Sequence, residues 1–300
     1  MQMKHVNVYV IGHEDPILID TGADSDESYN VLLAFLREHD IKYIDNIYLT
    51  HGHIDHYGAA KRLIDDGIAK NVYAHKNELS NISRSYDMPS YAEYLKQYGI
   101  PEELFKVLKD TSSYFDTFAQ IPLHISIIET GTKISYDGGT LEVIHTPGHT
   151  KGCVCFYDKD KRIMFSGDTL LSRLSPNPLL DVDDTGGRRK SLVEYIGTLN
   201  KLYNMDIEKV YPGHFEIIND HKAIIQNLMN FHFKRMMRIH KLIKDKPATP
   251  YDIMNMLFKN LKQQELFLGI SEVVGHLDLL EEKEMVTSFE QNGLVYYTVN

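Results

Sequence analysis

A dense cluster of metal-binding side chains at residues 51–56 constrains this chain more than any other feature. The run Thr50-His51-Gly52-His53-Ile54-Asp55-His56 follows directly on the apolar stretch 44–49, which predicts a buried strand. Neutral imidazoles and carboxylates are ligands for Zn²⁺ and related divalent ions. A solvated histidine-rich loop is the alternative, but such a loop has no reason to follow a strand. We therefore predict a metal site where this strand ends.

Three further candidate ligands, His149, Asp168 and His214, each follow a strand-like apolar run and a glycine. A glycine lets the backbone turn tightly and approach an ion closely. Each residue alone is weak evidence, because a lone Gly-His or Gly-Asp is usually only a turn. Together with the cluster they supply seven donors, which is enough for two metals that share one bridging carboxylate.

This set of residues resembles the metallo-β-lactamase-fold hydrolases. Their motif HxHxDH is matched at residues 51–56, their later ligands are matched in order, and their strand-end aspartate is matched by Asp20. The resemblance covers roughly residues 5 to 220. It implies that His51, His53 and His149 hold one metal and that Asp55, His56 and His214 hold a second. It also implies that Asp168 is the bridging carboxylate and that Asp20 orients a ligating imidazole.

The same resemblance implies an α/β fold, an αββα sandwich, over residues 1–220, and metal-dependent hydrolysis as its activity. The two divalent ions are expected to be Zn²⁺, with Mn or Fe as alternatives because His and Asp ligands discriminate little between them. A water that bridges two such ions has a lowered pKa and gives a hydroxide nucleophile. Asp55 would accept a hydrogen bond from this hydroxide. The expected substrate is a small ester, thioester or lactone.

Hydrophobic periodicity predicts how the first 220 residues are organised. A helix capped by Asp24 or Ser25 is expected over residues 25–39, and a second helix is expected to start inside the cluster and run over 55–66. A helical stretch is then expected over residues 80–120, a hairpin turn at the consecutive glycines Gly138-Gly139 and another helix over residues 191–203.

Residues 221–300 predict a second, smaller α+β domain. Helical patterns at 221–244, 250–258 and 271–285 precede a hairpin signal at Asn292-Gly293. This order is typical of a winged helix, and some metallo-β-lactamase-fold hydrolases carry such a module. Winged helices often bind DNA through the third helix. Here a role in packing or in a homodimer is expected instead of DNA binding, because that helix carries many acidic residues: Glu272, Asp278, Glu281, Glu282 and Glu284.

Composition favours a small-molecule substrate over a nucleic-acid partner. The formal net charge of −10 argues against nucleic acid, because that affinity depends on Lys and Arg. No stretch approaches a membrane span and no signal-like segment precedes Val6, so a cytoplasmic protein is expected. Arg188 and Arg189, in the loop that follows Asp168, are candidates for binding a substrate carboxylate or phosphate. A solvated loop is the alternative reading of this arginine pair.

Two other functions stay open at this stage. The first is a metal-dependent endoribonuclease or phosphodiesterase, since some winged-helix relatives cleave phosphodiesters; the negative charge counts against it. The second is a regulatory or ligand-sensing protein that uses its winged-helix-like module. Loss of metal ligands would favour that reading, and all seven are present in the sequence.

Overall fold

The computed structural model describes residues 5–83, 88–105, 119–122, 124–183 and 186–300. The chain divides into two compact units. The first comprises residues 1–85, 115–176 and 202–224, and the second comprises 86–114, 177–201 and 225–300. The last boundary lies close to the expected division at residue 220, but two internal stretches group with the C-terminal residues. The assignment of two domains, 1–220 and 221–300, stays a prediction.

Two five-stranded sheets form the first unit. Their strands are β1 (Tyr9–Ile11), β2 (Ile17–Ile19), β3 (Ile44–Tyr48), β4 (Ala69–His75), β5 (Ser126–Ile128), β6 (Lys133–Tyr136), β7 (Gly139–His145), β8 (Val154–Asp158), β9 (Ile163–Gly167) and β10 (Lys209–Pro212). One sheet has the order β1-β2-β3-β4-β5, with β1 antiparallel to β2 and the other neighbours parallel. The other has the order β10-β9-β8-β7-β6, in which β9 and β10 are parallel and the remaining pairs are antiparallel.

These strand directions decide where the loops meet. β2, β3 and β4 run parallel, so their carboxyl ends lie at one edge of the first sheet. β7 and β9 are both antiparallel to β8, and β10 is parallel to β9, so β7, β9 and β10 also end at a common edge. Every loop that carries a predicted ligand follows one of these strands.

The two faces of the first sheet pack against different layers. Because side chains alternate along a strand, Leu18 of β2 joins the core formed with helices α1 (Asp26–Glu38) and α3 (Ala60–Asp65). Its neighbours Ile17 and Ile19 join a second core with Phe156 and Phe165 of the other sheet. This arrangement gives the helix, sheet and sheet layers of the predicted sandwich.

The predicted start of α1 is confirmed, and the second predicted helix also starts inside the cluster, but it does not run unbroken over residues 55–66. Ser25 caps α1, its Oγ accepting a hydrogen bond from the Ser28 N–H at 3.2 Å. The second segment forms two short helices, α2 (Ile54–Tyr57) and α3. The Ala59 N–H donates to the Gly22 carbonyl at 3.0 Å instead of continuing the helical ladder, which separates the two.

The remaining helices follow the sequence pattern closely. Within the stretch expected to be helical, α4 covers Leu79–Ser83 and α5 covers Met88–Gln97; residues 84–87 and 106–118 of that stretch lie outside the described residues. The later elements are α6 (Ser191–Tyr203), α7 (His221–Leu242), α8 (Pro250–Leu257), α9 (Leu266–Glu282), β11 (Val286–Gln291) and β12 (Leu294–Val299). Their order is the predicted one, although α9 begins five residues early (271 − 266 = 5). A winged-helix module and its homodimer role stay predictions.

The expected acidic face of α9 is wrong at two positions. Glu272 and Asp278 are buried, and the Asp278 carboxylate accepts hydrogen bonds from both terminal nitrogens of Arg188. Glu282 pairs with Lys190. Arg188, which is 90 residues away in the sequence, therefore neutralises Asp278, the most buried of these acids. Only the last turn of the helix and the residues just after it remain solvent-accessible and acidic. Among the described residues, no helix combines the length and apolar character needed to cross a membrane.

Candidate metal centre

The structure brings all seven predicted ligands together in the first unit. The 51–56 cluster follows β3, and His149, Asp168 and His214 follow β7, β9 and β10 at their carboxyl ends. The donor atoms form three overlapping groups, and within each group they lie within 4.8 Å of one another. The groups are His51, His53 and His149; His51, His56 and Asp168; and Asp55, His56 and His214.

Asp168 lies between the two outer groups. Its Oδ1 is 3.4 Å from His56 Nε2 and 3.6 Å from His214 Nε2, whereas its Oδ2 is 3.8 Å from His149 Nε2. Asp55 Oδ2 is 3.3 Å from His214 Nε2, and the ring nitrogens His53 Nδ1 and His149 Nε2 are 3.0 Å apart. Ligands about 2.1 Å from a tetrahedral Zn²⁺ lie about 3.4 Å from one another, so this spacing fits a shared cation.

Hydrogen bonds fix which ring nitrogen faces the centre. His56 Nδ1 donates to Asp20 Oδ2 at 2.8 Å, and His214 Nδ1 donates to the His5 carbonyl at 2.5 Å. Thr50 Oγ1 gives its hydrogen to Asp20, so it accepts from His51 Nδ1 at 3.1 Å. In each neutral ring Nε2 is therefore left with a lone pair.

Those lone pairs are buried and have no hydrogen-bond partner among the residues that the structure describes. The Nε2 atoms of His51, His56 and His214, together with Asp168 Oδ1, are buried without a hydrogen bond. Leaving such a group unsatisfied costs about 1–3 kcal/mol. Four acceptors directed into one region fit divalent cations, which bind neutral imidazole and carboxylate. These donors therefore fit a divalent metal centre.

Electrostatics points the same way. Burial lowers the pKa of His51 well below its ordinary value and that of His53 to about 3, and the neighbouring imidazoles add to this effect. Burial alone would also lower the pKa of His56, but Asp168, Asp20 and Asp55 outweigh it and raise that pKa. Positive charge is favoured at this point because three carboxylates surround one imidazole, and a divalent cation would supply it.

Asp20 takes the place expected of the strand-end aspartate. It follows β2, is 1% exposed and has a left-handed backbone with φ of 57°. Its carboxylate accepts from the Thr50 N–H and Thr50 Oγ1, each at 2.8 Å, as well as from His56 Nδ1. It thus ties the start of the cluster to the ring of one candidate ligand. His145, four residues before His149, contacts the Lys151 carbonyl through Nε2 at 2.9 Å.

Two polar residues that hold ligand loops were missed from the sequence. Asn7 Nδ2 donates to the Pro212 and Phe215 carbonyls at 3.0 and 2.9 Å, so it spans the loop that carries His214. Glu78, just after β4, is buried against the loops that carry the first donor group. The only available signal for Glu78 was its position after a strand parallel to β3. Asn7 gave no signal, because its acceptors are more than 200 residues away.

The two arginines proposed to bind substrate already have carboxylate partners. Arg188 pairs with Asp278, and Arg189 pairs with Asp181 and Glu194, all within the second unit. These ion pairs account for both guanidiniums without a ligand. Their role in substrate binding stays a prediction that no described contact supports.

Comparison with known proteins identifies the family. Residues 3–214 match the model of the "Metallo-beta-lactamase superfamily". The chain belongs to this superfamily. "Probable metallo-hydrolase YqjP" of Bacillus subtilis is 31% identical over 97% of this chain and 92% of its own length. The crystal structure of a metallo-beta-lactamase family protein of Thermus thermophilus, TTHA1429, gives a TM-score of 0.82 at 25% identity, covering 98% of this chain and 94% of its own.

A thioesterase is also among the relatives. The "Atrochrysone carboxyl ACP thioesterase" of Aspergillus fumigatus is 23% identical, over 75% of this chain and 56% of its own length. The predicted mixed α/β metallo-β-lactamase fold, membership of the metallo-hydrolases and suitability for divalent metals are thereby confirmed.

Proposed function

We propose that this protein is a binuclear metal-dependent hydrolase of a small ester, thioester or lactone. The observation that carries the proposal is the position of Asp168. Its two oxygens face imidazoles of different donor groups, His56 and His214 on one side and His149 on the other. A bridging carboxylate needs this placement, whereas a single-metal site does not.

The residues divide into two metal sites on this proposal. His51, His53 and His149 would hold one cation, Asp55, His56 and His214 would hold the other, and Asp168 would contribute to both. Divalent cations held there would supply Lewis acidity towards the substrate's carbonyl oxygen and would lower the pKa of water. Zn²⁺ is the expected metal, and Mn or Fe would suit the same donors.

Asp55 is the donor best placed to handle a proton. Its side chain is 43% exposed, whereas those of His56, His214 and Asp168 are at most 4% exposed. His214 Nε2 lies 3.3 Å from Asp55 Oδ2, so both atoms could bind one cation, which would orient the carboxylate. Burial alone would raise the pKa of Asp55, but His56 and His214 outweigh it and keep the group ionised. An exposed, oriented carboxylate can accept a hydrogen bond from the attacking water and direct it towards a bound substrate.

Thioesters are the substrate class to test first. One relative is named for hydrolysis of an acyl carrier protein thioester. A thioester carbonyl needs polarisation and an attacking water, which are the two tasks that the donors support. The phosphodiesterase alternative has no described contact in its favour.

The experiment is a substrate panel on metal-loaded protein: an acyl thioester, a lactone, a phosphodiester and single-stranded RNA. Hydrolysis of a thioester or lactone is expected, with a loss of at least about 10²-fold in Asp55→Ala. Asp158→Asn is the matched control, because Asp158 is a buried carboxylate of the same unit that bonds to Tyr136 and Lys161 away from the ligands.

Each alternative has its own outcome. Cleavage of RNA or of the phosphodiester alone would favour the endoribonuclease or phosphodiesterase alternative over hydrolysis of an ester, thioester or lactone. Activity that survives unchanged in Asp55→Ala would contradict the mechanism. Metal-loaded protein that hydrolyses none of the four substrates would favour the regulatory alternative.

A further inference from the structure

Glu78 is a buried carboxylate, and none of its described hydrogen bonds is to one of the seven candidate ligand side chains. It lies in a short 3₁₀ turn, Lys76–Glu78, directly after β4, and its relative exposure is 0%. The described donors to it are all neutral: the Gly52 and Gly152 N–H groups, the Thr150 hydroxyl and the Asn81 amide. Burying a carboxylate is costly, and burial raises the pKa of Glu78. A well-packed apolar residue is often at least as stabilising as a buried charge, so stability alone does not account for this carboxylate.

The two oxygens of Glu78 hold two different ligand loops. Oε2 accepts from the Gly52 N–H at 2.7 Å, and Gly52 lies between His51 and His53. Oε1 accepts from Thr150 Oγ1 at 2.5 Å and from the Gly152 N–H at 2.7 Å, just after His149. One carboxylate therefore joins the two loops that supply the whole first donor group, although these loops are about a hundred residues apart.

The glycines make this approach possible. A Cβ at Gly52 would lie 2.8 Å from Glu78 Oε2, and a Cβ at Gly152 would lie 2.7 Å from Oε1. Real Cβ contacts are not this short, so any other residue would force either the loop or the Glu78 carboxylate to shift. Both loops thus have the one residue type that allows the backbone N–H to reach Glu78.

We propose that Glu78 is the positioning residue for the His51, His53 and His149 half of the metal centre. By fixing the distance between the two loops, it sets the separation of the three imidazoles and so the affinity of that site for a cation. Hydrogen-bonded groups behind metal ligands typically change affinity 10- to 100-fold. The inference rests on the proposed metal centre.

The test compares Glu78→Gln with the natural protein. Glutamine keeps the shape but replaces one acceptor oxygen with an NH₂ group that cannot accept from a backbone N–H. The metal-free proteins are titrated with Co²⁺, and visible absorption reports both affinity and ligand geometry. The natural protein is expected to bind two equivalents. The variant is expected to bind one normally and the other at least about 10-fold more weakly, with an altered spectrum.

Asp158→Asn is the matched control and should leave both affinities unchanged. If Glu78→Gln does not fold, Glu78→Asp replaces it: this variant keeps the charge but is one methylene too short to bond both loops, and the same selective loss is expected. A variant that is only less stable, with unaltered Co²⁺ affinities and spectrum, would overturn the inference while the metal centre stands. Natural protein that binds no Co²⁺ would instead overturn the proposed function.

Discussion

Replacing Asp20 with Asn tests how the second metal site is built. The carboxylate accepts three hydrogen bonds, from the Thr50 N–H, Thr50 Oγ1 and His56 Nδ1, each at 2.8 Å. An asparagine of the same shape has only one acceptor oxygen. If that oxygen stays on the Thr50 N–H, the amide NH₂ takes the place of Oδ2 and faces both His56 Nδ1 and Thr50 Oγ1. The ring then moves its hydrogen to Nε2, which removes the lone pair that the centre needs.

The magnitude follows from this tautomer change. Loss of a partner behind a metal-binding histidine typically costs 10- to 100-fold in metal affinity, which corresponds to about 1.4–2.8 kcal/mol. Both sites should weaken, because Asp20 Oδ2 accepts from His56 Nδ1 and also from Thr50 Oγ1, and that second bond leaves Thr50 Oγ1 free to accept from His51 Nδ1. The loss at the site formed by Asp55, His56 and His214 should be the larger, because the amide faces His56 directly.

Competition between the metal-free protein and a chromophoric chelator measures both affinities for Zn²⁺. ¹⁵N NMR of the histidine side chains reports the tautomer of His56 directly. Asp158→Asn again serves as the matched control. Affinities within threefold of the natural protein at both sites, with His56 still protonated on Nδ1, would refute the reasoning.

Two further predictions concern the second unit. Asp278→Ala should lower the free energy of unfolding by about 3–5 kcal/mol in urea titrations, because Arg188 is left buried and unpaired; pairing the change with Arg188→Met should recover most of the loss, and additive losses would contradict the assignment. His232 and His276 are buried with ring nitrogens 3.2 Å apart, and burial lowers their pKa values to about 4 and about 3. Both stay neutral in the folded state, so the stability they contribute is present above pH 6.5 and is lost as pH falls towards 4, by about 2 kcal/mol per histidine at pH 5. The urea midpoint should therefore fall less between pH 7 and pH 5 in His232→Leu/His276→Leu than in the natural protein; equal falls would show that these rings do not titrate as stated.

The sequence was sufficient to predict which side chains meet at the candidate metal centre, because each one follows a strand. A motif of six residues and three Gly-ligand pairs, at 149, 168 and 214, were enough to predict four loops that meet at the ends of parallel strands. The helices α1 and α6 were also predictable, since their apolar positions repeat at helical spacing and Ser25 provides a local cap.

The features that sequence reasoning missed depend on distant partners. Glu78 is a single charged residue without a recognisable spacing, and its role appears only when Gly52 and Gly152 are placed beside it. Asp278 was read as part of an acidic helix face because Arg188, its partner, is 90 residues away. The break between α2 and α3 has the same origin, since it is set by the hydrogen bond from Ala59 to the carbonyl of Gly22.

Elemental analysis of the purified protein, after loading with Zn²⁺ and removal of excess metal, tests the central claim most directly. Two equivalents of divalent cation per chain are expected, falling to one or fewer in Asp168→Ala because that carboxylate faces both donor groups. Protein that retains no stoichiometric cation, or an Asp168→Ala variant that still retains two, would contradict the account.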